Sequence, residues 1–184
     1  MYRILVIFIE GGDDGRFFDR IIKPIFRGKY DHVGLWEYAQ KFPKKTRSYI
    51  NNINTMSSDS IVADYIYVTD FNDAPCFTYR KLAKQSNLTN LDKDKIIVAR
   101  KEIEGWYLAG LDETCSKKCG IIHCQSTDNI TKEQFNNLIP RKFESSRIVF
   151  CQEILKYFNL EIAKQKNESF RYFLEDFLQK YASG

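Results

Sequence analysis

The sequence predicts an α/β fold: an open, mainly parallel sheet of four strands, flanked by helices and followed by a C-terminal helical extension. Three of the four runs rich in β-branched and aromatic residues are almost continuously apolar, as in strands covered on both faces. Segments with helical spacing separate the runs, and this alternation is typical of right-handed parallel connections. The runs are RILVIFI (3–9), DHVGLW (31–36), DYIYVTD (64–70) and KIIVARK (95–101).

The segments between the predicted strands carry apolar residues at helical spacing. In DGRFFDRIIKPIF (14–26), one stripe of Phe17, Ile21, Ile22 and Ile25 is predicted to face the sheet, and Pro24 to kink or shorten the helix. KKTRSYINNINTM and CFTYRKLAKQS are the second and third predicted crossovers. Three later segments have helical patterns, and Asn167 or Ser169 is the predicted N-cap of the last: TKEQFNNLI, ESSRIVFCQEILKYF and NESFRYFLEDFLQKY.

The length of 184 residues predicts one domain, with an α/β core (1–111), a polar cysteine-containing insertion (112–130) and a helical extension (131–184). The net charge of +4 permits nucleic-acid binding without arguing for it. No apolar stretch approaches the ~20 residues of a membrane span, and the N-terminus resembles a strand more than a signal peptide. The cysteine count is odd, at five, which favours a reducing cytoplasm.

Acidic side chains follow three of the predicted strands, where the carboxyl ends of a parallel sheet form its ligand-binding edge. Clustered carboxylates repel one another by ~1 kcal/mol or more per close pair, which a divalent cation relieves. Mg²⁺ takes one or two carboxylates together with waters and substrate phosphates. The pattern therefore predicts Mg²⁺, with Mn²⁺ as a substitute, held against a phosphodiester. The residues are Glu10 and Asp14, then Asp70, Asn72 and Asp73, then Glu102 and Glu104.

A structural role is the alternative for each of these acids taken singly. Asp and Asn after strands also start turns and cap helices. Asp13, Asp14 and Asp19 suit the positive N-terminus of a helix. Glu10 and Asp70 together, at the ends of two strands, favour a functional role.

Four segments resemble Toprim domains in the same order along the chain. IFIEGGDDGRFFDRII is similar to the opening of these domains, and YIYVTDFND resembles their Asp-x-Asp motif after a strand. ARKEIEGWYLAG resembles a segment of stand-alone Toprim-like proteins and of relatives of the overcoming-lysogenization-defect nucleases. The closing ESFRYFLEDFL resembles the final helix of many such small proteins.

The resemblance implies phosphodiester cleavage or transfer. Cleavage by water is the simpler proposal, as in a nuclease of a defence or DNA-maintenance system. The general acid/base glutamate is then Glu10, with Asp14 as the second catalytic acid. The implied metal ligands are Glu10, Asp70, Asn72, Asp73 and Glu104. Asn72 stands where the family has an aspartate, so Asp73 is a candidate substitute for it.

Basic residues near these motifs are candidate contacts for nucleic-acid phosphates, with DNA as the expected partner. Solvated surface charge is the alternative for each of them. No Walker motif is present, so an ATPase partner would be a separate chain. The candidate residues are Lys44, Lys45, Arg47, Arg80 and Lys101.

Two other functions remain open, together with one possible zinc site. The chain could be a catalytically inert Toprim-like module that binds nucleic acid or protein, or a different phosphotransfer or phosphohydrolase enzyme. Cys115, Cys119, His123 and Cys124 are zinc-type ligands. Adjacent His123 and Cys124 rarely bind one ion, so unligated thiols are the alternative.

Overall fold

The computed structural model describes residues 1–39, 41–56 and 60–178. The chain forms two compact units, one of Met1–Val98 and one that begins at Ala99. This boundary lies inside the predicted core of 1–111. The predicted division into a core, an insertion and an extension of one domain stays a prediction.

The sheet confirms the predicted fold class. Strands β1 (Tyr2–Ile9), β2 (His32–Glu37), β3 (Ile61–Asp70) and β4 (Ile96–Ala99) are all parallel and lie in the order β2-β1-β3-β4. Strand β1 is central: Phe8 pairs with Trp36 of β2 and with Tyr67 of β3. Its residues Leu5–Ile9 are buried, as the continuous apolar run predicts for a strand covered on both faces.

Alternate strand residues form the core on one face of the sheet. Helix α2 (Pro43–Thr55) covers this face, together with the segment after helix α3 (Phe77–Asn87). A 3₁₀ turn at Lys93–Lys95 precedes β4. Both helices agree with the predicted crossovers. The buried members of the cluster are Val6, Phe8, Ile50, Ile53, Tyr65, Tyr67, Leu88, Leu91, Ile96 and Val98.

The first crossover differs from a regular helix. It consists of α1 (Gly12–Phe17), a π-helical turn over Phe18–Ile22 and a 3₁₀ turn over Lys23–Phe26. A π turn has more residues than an α turn and rotates the positions that follow it. The fully buried residues are therefore Phe17, Phe18, Ile22 and Phe26, whereas the predicted Ile21 and Ile25 are only half-buried.

The second unit is helical. Its described helices are α4 (Glu104–Ala109), α5 (Glu113–Cys119), α6 (Lys132–Asn137), α7 (Arg147–Lys156), α8 (Leu160–Lys166) and α9 (Glu168–Tyr172). A 3₁₀ turn lies at Arg141–Phe143, and a π turn over Phe173–Phe177 follows α9. Residues of the predicted last helix beyond 178 lie outside the described part. No helix in that part is long and apolar enough to cross a membrane.

Hydrogen bonds within the second unit join α4 to the start of α9. The Ser169 hydroxyl accepts the Trp106 indole N–H and the Arg100 backbone N–H, each at 2.9 Å, and donates to Asn167 Oδ1 at 2.8 Å. Asn167 is the N-cap of α9, because its side chain accepts the Phe170 backbone N–H at 3.0 Å. The motifs around Trp106 and Ser169 therefore have a structural function.

A substitution at Gly105 tests how closely α4 packs. A Cβ there would lie 2.6 Å from the Thr127 backbone carbonyl oxygen, which is closer than real contacts allow. We expect Gly105→Ala to lower the free energy of unfolding by about 1–3 kcal/mol, although alanine favours helices. Urea denaturation measures this change.

Gly12→Ala is the matched control. Its Cβ would lie 3.6 Å from the Arg16 guanidinium, an ordinary contact. We expect a change within about 0.5 kcal/mol. Equal stability of Gly105→Ala and the wild type would contradict the close approach of α4 to Thr127.

Candidate active site

The carboxyl ends of β1, β2 and β3 share one edge of the sheet in the first unit. Phe8 pairs with Tyr67 in parallel register, and Glu10 and Asp70 follow this pair by two and three residues, respectively, toward the carboxyl edge. The chain after β2 continues along β1, since Tyr38 N–H donates to the Ile9 carbonyl at 2.9 Å. The structure therefore places Glu10 and Asp70 at the same edge of the sheet.

The side chain of Tyr38 lies beside that of Glu10. Its hydroxyl oxygen lies 3.0 Å from the Val68 carbonyl oxygen and 3.4 Å from Glu10 Oε2. Burial raises the pKa of Tyr38 well above its usual range, and nearby Tyr67 and Glu10 raise it further. Burial likewise raises the pKa of Tyr67. Both phenols stay protonated near neutral pH and are poor nucleophiles there.

Lys84 of α3 is electrostatically coupled to both carboxylates. Burial lowers the pKa of its ammonium, and the positive charge of Arg80 lowers it further, whereas Glu10 and Asp70 raise it. The ammonium lies 5.3 Å from the centre of the Tyr38 ring. Lys84 therefore places a cation near the acidic edge of the sheet.

Arg80 forms two hydrogen bonds with the end of β3. Its Nε donates to the Asp70 backbone carbonyl at 2.7 Å, and its Nη2 donates to the Thr69 hydroxyl at 3.2 Å. These bonds hold the guanidinium of this predicted phosphate contact against the strand. Arg80 nevertheless lies beside the acidic edge, near the motif where the sequence placed it, and its contact with phosphate stays a prediction.

Asp14, predicted as a catalytic acid, holds the turn that follows β1. Its buried carboxylate accepts the backbone N–H of Glu10 at 2.7 Å and that of Gly11 at 3.3 Å. These bonds fix the start of α1 and the position of Glu10. The structure therefore assigns Asp14 a positioning contact, and its catalytic role stays a prediction.

Asn72 and Asp73 lie in the exposed turn after β3. Asn72 has a φ of 51°, in the left-handed region that asparagine adopts more readily than most residues. This conformation gives a backbone reason for an asparagine at the departure from Asp-x-Asp. Metal binding by Asn72 and Asp73 stays a prediction.

Glu104, a predicted metal ligand, lies in the second unit and is paired with a cation. It is 3% exposed, and Arg147 Nη2 donates to its Oε1 at 2.7 Å. Burial raises the pKa of Glu104, while its backbone hydrogen bond and Arg147 oppose that rise. Glu102 accepts the backbone N–H of Lys132 at the start of α6. Both glutamates therefore have structural partners within their own unit.

The remaining predicted phosphate contacts lie on both units. Lys44 and Lys45 are exposed in the first turn of α2, and exposed Arg47 donates to the Asn87 carbonyl at 3.0 Å. Lys101 belongs to the second unit and has a φ of 57°. Contact of these side chains with nucleic acid stays a prediction.

A cavity of about 150 Å³ lies next to the acidic edge, and sequence reasoning missed it. Tyr38, Tyr67 and Lys84 line it, together with Thr46 of α2. Thr46 is 2% exposed, and its hydroxyl has no hydrogen-bond partner among the described residues. A buried polar group without a partner costs about 1–3 kcal/mol. The position of Tyr38 after β2, matching that of Glu10 after β1, was the sequence signal for this region.

The cysteine-containing segment shows no metal-binding arrangement. Cys119 of α5 is buried, and burial raises the pKa of its thiol to about 11. His123 Nδ1 lies 3.5 Å from the Ser116 hydroxyl. Within residues 1–39, 41–56 and 60–178, no group of three or more His, Cys, Asp or Glu side chains is placed to hold a metal ion. All five cysteines are free thiols.

The buried pair of Glu104 and Arg147 gives a pH-dependent prediction. Arg147→Met leaves the Glu104 carboxylate buried without its counter-charge, so we expect unfolding to become easier by about 3–5 kcal/mol near neutral pH. The raised pKa means that the folded state binds a proton more readily than the unfolded state. The stability lost in Arg147→Met should therefore become smaller as the pH falls from about 7.5 to about 5. Urea denaturation at each pH measures this change.

Two further variants identify the group responsible. Glu104→Gln combined with Arg147→Met removes both charges and should recover most of the lost stability. Lys156→Met removes an exposed cation from its pair with Glu153 and should change little. A loss in Arg147→Met that is independent of pH would exclude Glu104 as its source.

Comparisons of the chain with protein-family models, with curated proteins and with solved structures gave no match. The resemblance to Toprim domains therefore rests on the four sequence segments alone, and membership of that family stays a prediction.

Proposed function

We propose that this chain is a Mg²⁺-dependent enzyme that cleaves phosphodiester bonds in nucleic acid, with its reacting centre where β1 and β3 end. The observation that carries this proposal is the placement of Glu10 and Asp70 at the carboxyl edge of the sheet. Both carboxylates favour the charged form of Lys84. Ligands of open parallel sheets bind at this edge.

Glu10 and Asp70 fit the ligand chemistry of Mg²⁺. The ion is satisfied by one or two carboxylates when waters and substrate phosphates complete its shell. A site with two carboxylates therefore suits a metal that binds together with its substrate. Asn72 and Asp73 are further candidate ligands. We leave Glu104 out of this site because Arg147 already neutralises it.

Proton transfer is assigned to Glu10. A water molecule attacks phosphorus, Glu10 takes its proton, and the phosphorus–oxygen ester bond breaks. The proton then passes to the departing oxygen, which leaves a hydroxyl and a phosphate monoester. Glu10 and Asp70 would hold the Mg²⁺, which would neutralise the charge that develops on the scissile phosphate. Tyr38 and Asp14 hold Glu10 in place through its side chain and its backbone, respectively.

Water is the proposed nucleophile because the nearby phenols are unsuited to the role. Burial raises the pKa of both Tyr38 and Tyr67, so neither forms a phenolate readily. Lys84 lies near the same edge and attracts the anionic substrate. DNA is the proposed substrate, with a reducing cytoplasm as the location, in accord with five free thiols.

A second candidate function is a module that binds nucleic acid without cleaving it. The lack of a three-residue metal group among the described residues favours this alternative. The exposed Lys44 and Lys45 could then contact phosphates in the absence of metal. Binding without turnover distinguishes it from the enzyme.

The enzyme is tested by nicking of supercoiled plasmid and cleavage of labelled DNA and RNA, with Mg²⁺, with Mn²⁺ and with EDTA. We expect metal-dependent cleavage that falls by about 100-fold or more in Glu10→Gln, because general acid–base catalysis contributes at least that much. Asp70→Asn should also lose cleavage, with partial recovery at higher metal concentration.

Asp19→Asn is the matched control, because it removes an exposed carboxylate outside the proposed site. Thermal unfolding of each variant verifies that it is folded. Cleavage that persists in EDTA, or in folded Glu10→Gln, would exclude the proposed mechanism. Salt-sensitive binding of the same nucleic acids without cleavage would support the second candidate instead.

A further inference from the structure

The cavity beside the acidic edge has the chemistry of an anion site. The residues that line it include Lys41, Lys84 and Thr46, and no acidic residue is among the described lining residues. Lys41 lies 5.9 Å from the centre of the Trp36 ring, and Lys84 lies against Tyr38. Two cations therefore line a small cavity in the first unit.

Helix α2 adds a positive end to this cavity. Pro43, the first residue of the 13-residue helix, lines the cavity, and the first turn holds Lys44 and Lys45 with no acidic residue. The positive end of a helix normally favours acidic side chains, so lysines there are unfavourable unless an anion is bound. Phosphate groups bind at such helix ends.

Thr46 gives a second, independent indication of a ligand. Its hydroxyl oxygen is buried within a residue that is only 2% exposed, and it has no partner in the described part of the chain. Buried hydroxyls in folded proteins are almost always hydrogen-bonded. Thr46 is one of the residues that line the cavity, so its hydroxyl is a candidate donor to an anion bound there.

We propose that this cavity binds a phosphate group of the nucleic acid, next to the phosphodiester that is cleaved at Glu10 and Asp70, an assignment that rests on the function proposed above. Tyr38 and Lys84 connect the cavity with the proposed reacting centre, because each lines the cavity and interacts with Glu10. Thr46 donates to a phosphate oxygen, while Lys41 and Lys84 balance its charge. The phosphate is either a terminal monoester or an internal diester of the strand.

Binding is measured in EDTA, so that cleavage does not enter the readout. Inorganic phosphate, a short oligonucleotide with a 5′-phosphate and the same oligonucleotide without it are titrated by calorimetry and thermal shift at constant ionic strength. Thr46→Val and Lys41→Gln should each weaken binding by about 10- to 100-fold, the range for a hydrogen bond to a charged group. Thr55→Val, at the other end of α2, and Lys93→Gln are the matched controls.

Stability without phosphate separates binding from a structural role for Thr46. Valine replaces the unpartnered hydroxyl with a methyl group of similar size, so the melting temperature of phosphate-free Thr46→Val should equal or exceed that of the wild type. The rise in melting temperature caused by phosphate should be lost. A lower melting temperature with unchanged phosphate affinity would overturn the assignment.

The outcomes for the cavity and for the enzyme are distinguishable. Loss of phosphate binding in Thr46→Val, in a chain that cleaves nothing with Mg²⁺, upholds the cavity and overturns the enzyme. Metal-dependent cleavage with equal binding by the wild type and Thr46→Val overturns the cavity alone. Tighter binding of the 5′-phosphorylated oligonucleotide identifies a terminal phosphate, and equal binding of the two identifies an internal one; both uphold the cavity.

Discussion

The parallel register of β1 with its two neighbours is the constraint on which the candidate site depends. Strand β1 is buried and pairs with both β2 and β3, so its alignment decides which residues meet at the carboxyl edge. A slip of one residue would move every side chain of the strand to the opposite face. The apolar packing of Phe8 against Tyr65 and Tyr67 opposes such a slip and thereby keeps Glu10 at the same edge of the sheet as Asp70.

The acidic residues that follow the predicted strands have different hydrogen-bond and ion-pair partners in the fold. Asp14 accepts backbone N–H groups and Glu104 pairs with Arg147, so each carboxylate stabilises local structure. Glu10 instead lies beside the Tyr38 phenol, and the backbone carbonyl of Asp70 accepts a hydrogen bond from Arg80. Acidic residues at similar positions after the strands therefore have different roles, and only their surroundings in the fold distinguish them.

The sequence predicted the four strands because hydrophobic runs are local signals, and it predicted Glu10 and Asp70 because strand ends follow from strands. It could not predict the participation of Lys84, whose approach to Glu10 depends on the strand order and on the packing of α3. The burial of Phe18 and Phe26 was missed because a π turn changes the helical period without a local sequence mark. Thr46 was missed because an unpartnered hydroxyl is a property of packing alone.

The positive charge of Lys84 depends on the acidic edge and would also respond to an anion in the cavity. Burial and Arg80 disfavour its positive charge, whereas Glu10 and Asp70 favour it. A divalent cation between the carboxylates would cancel their support and make the ammonium less stable. A phosphate in the cavity would restore that support, since it brings negative charge close to Lys84. In the proposed enzyme each ligand therefore offsets the electrostatic cost of the other, so the metal and the nucleic acid should bind with positive coupling.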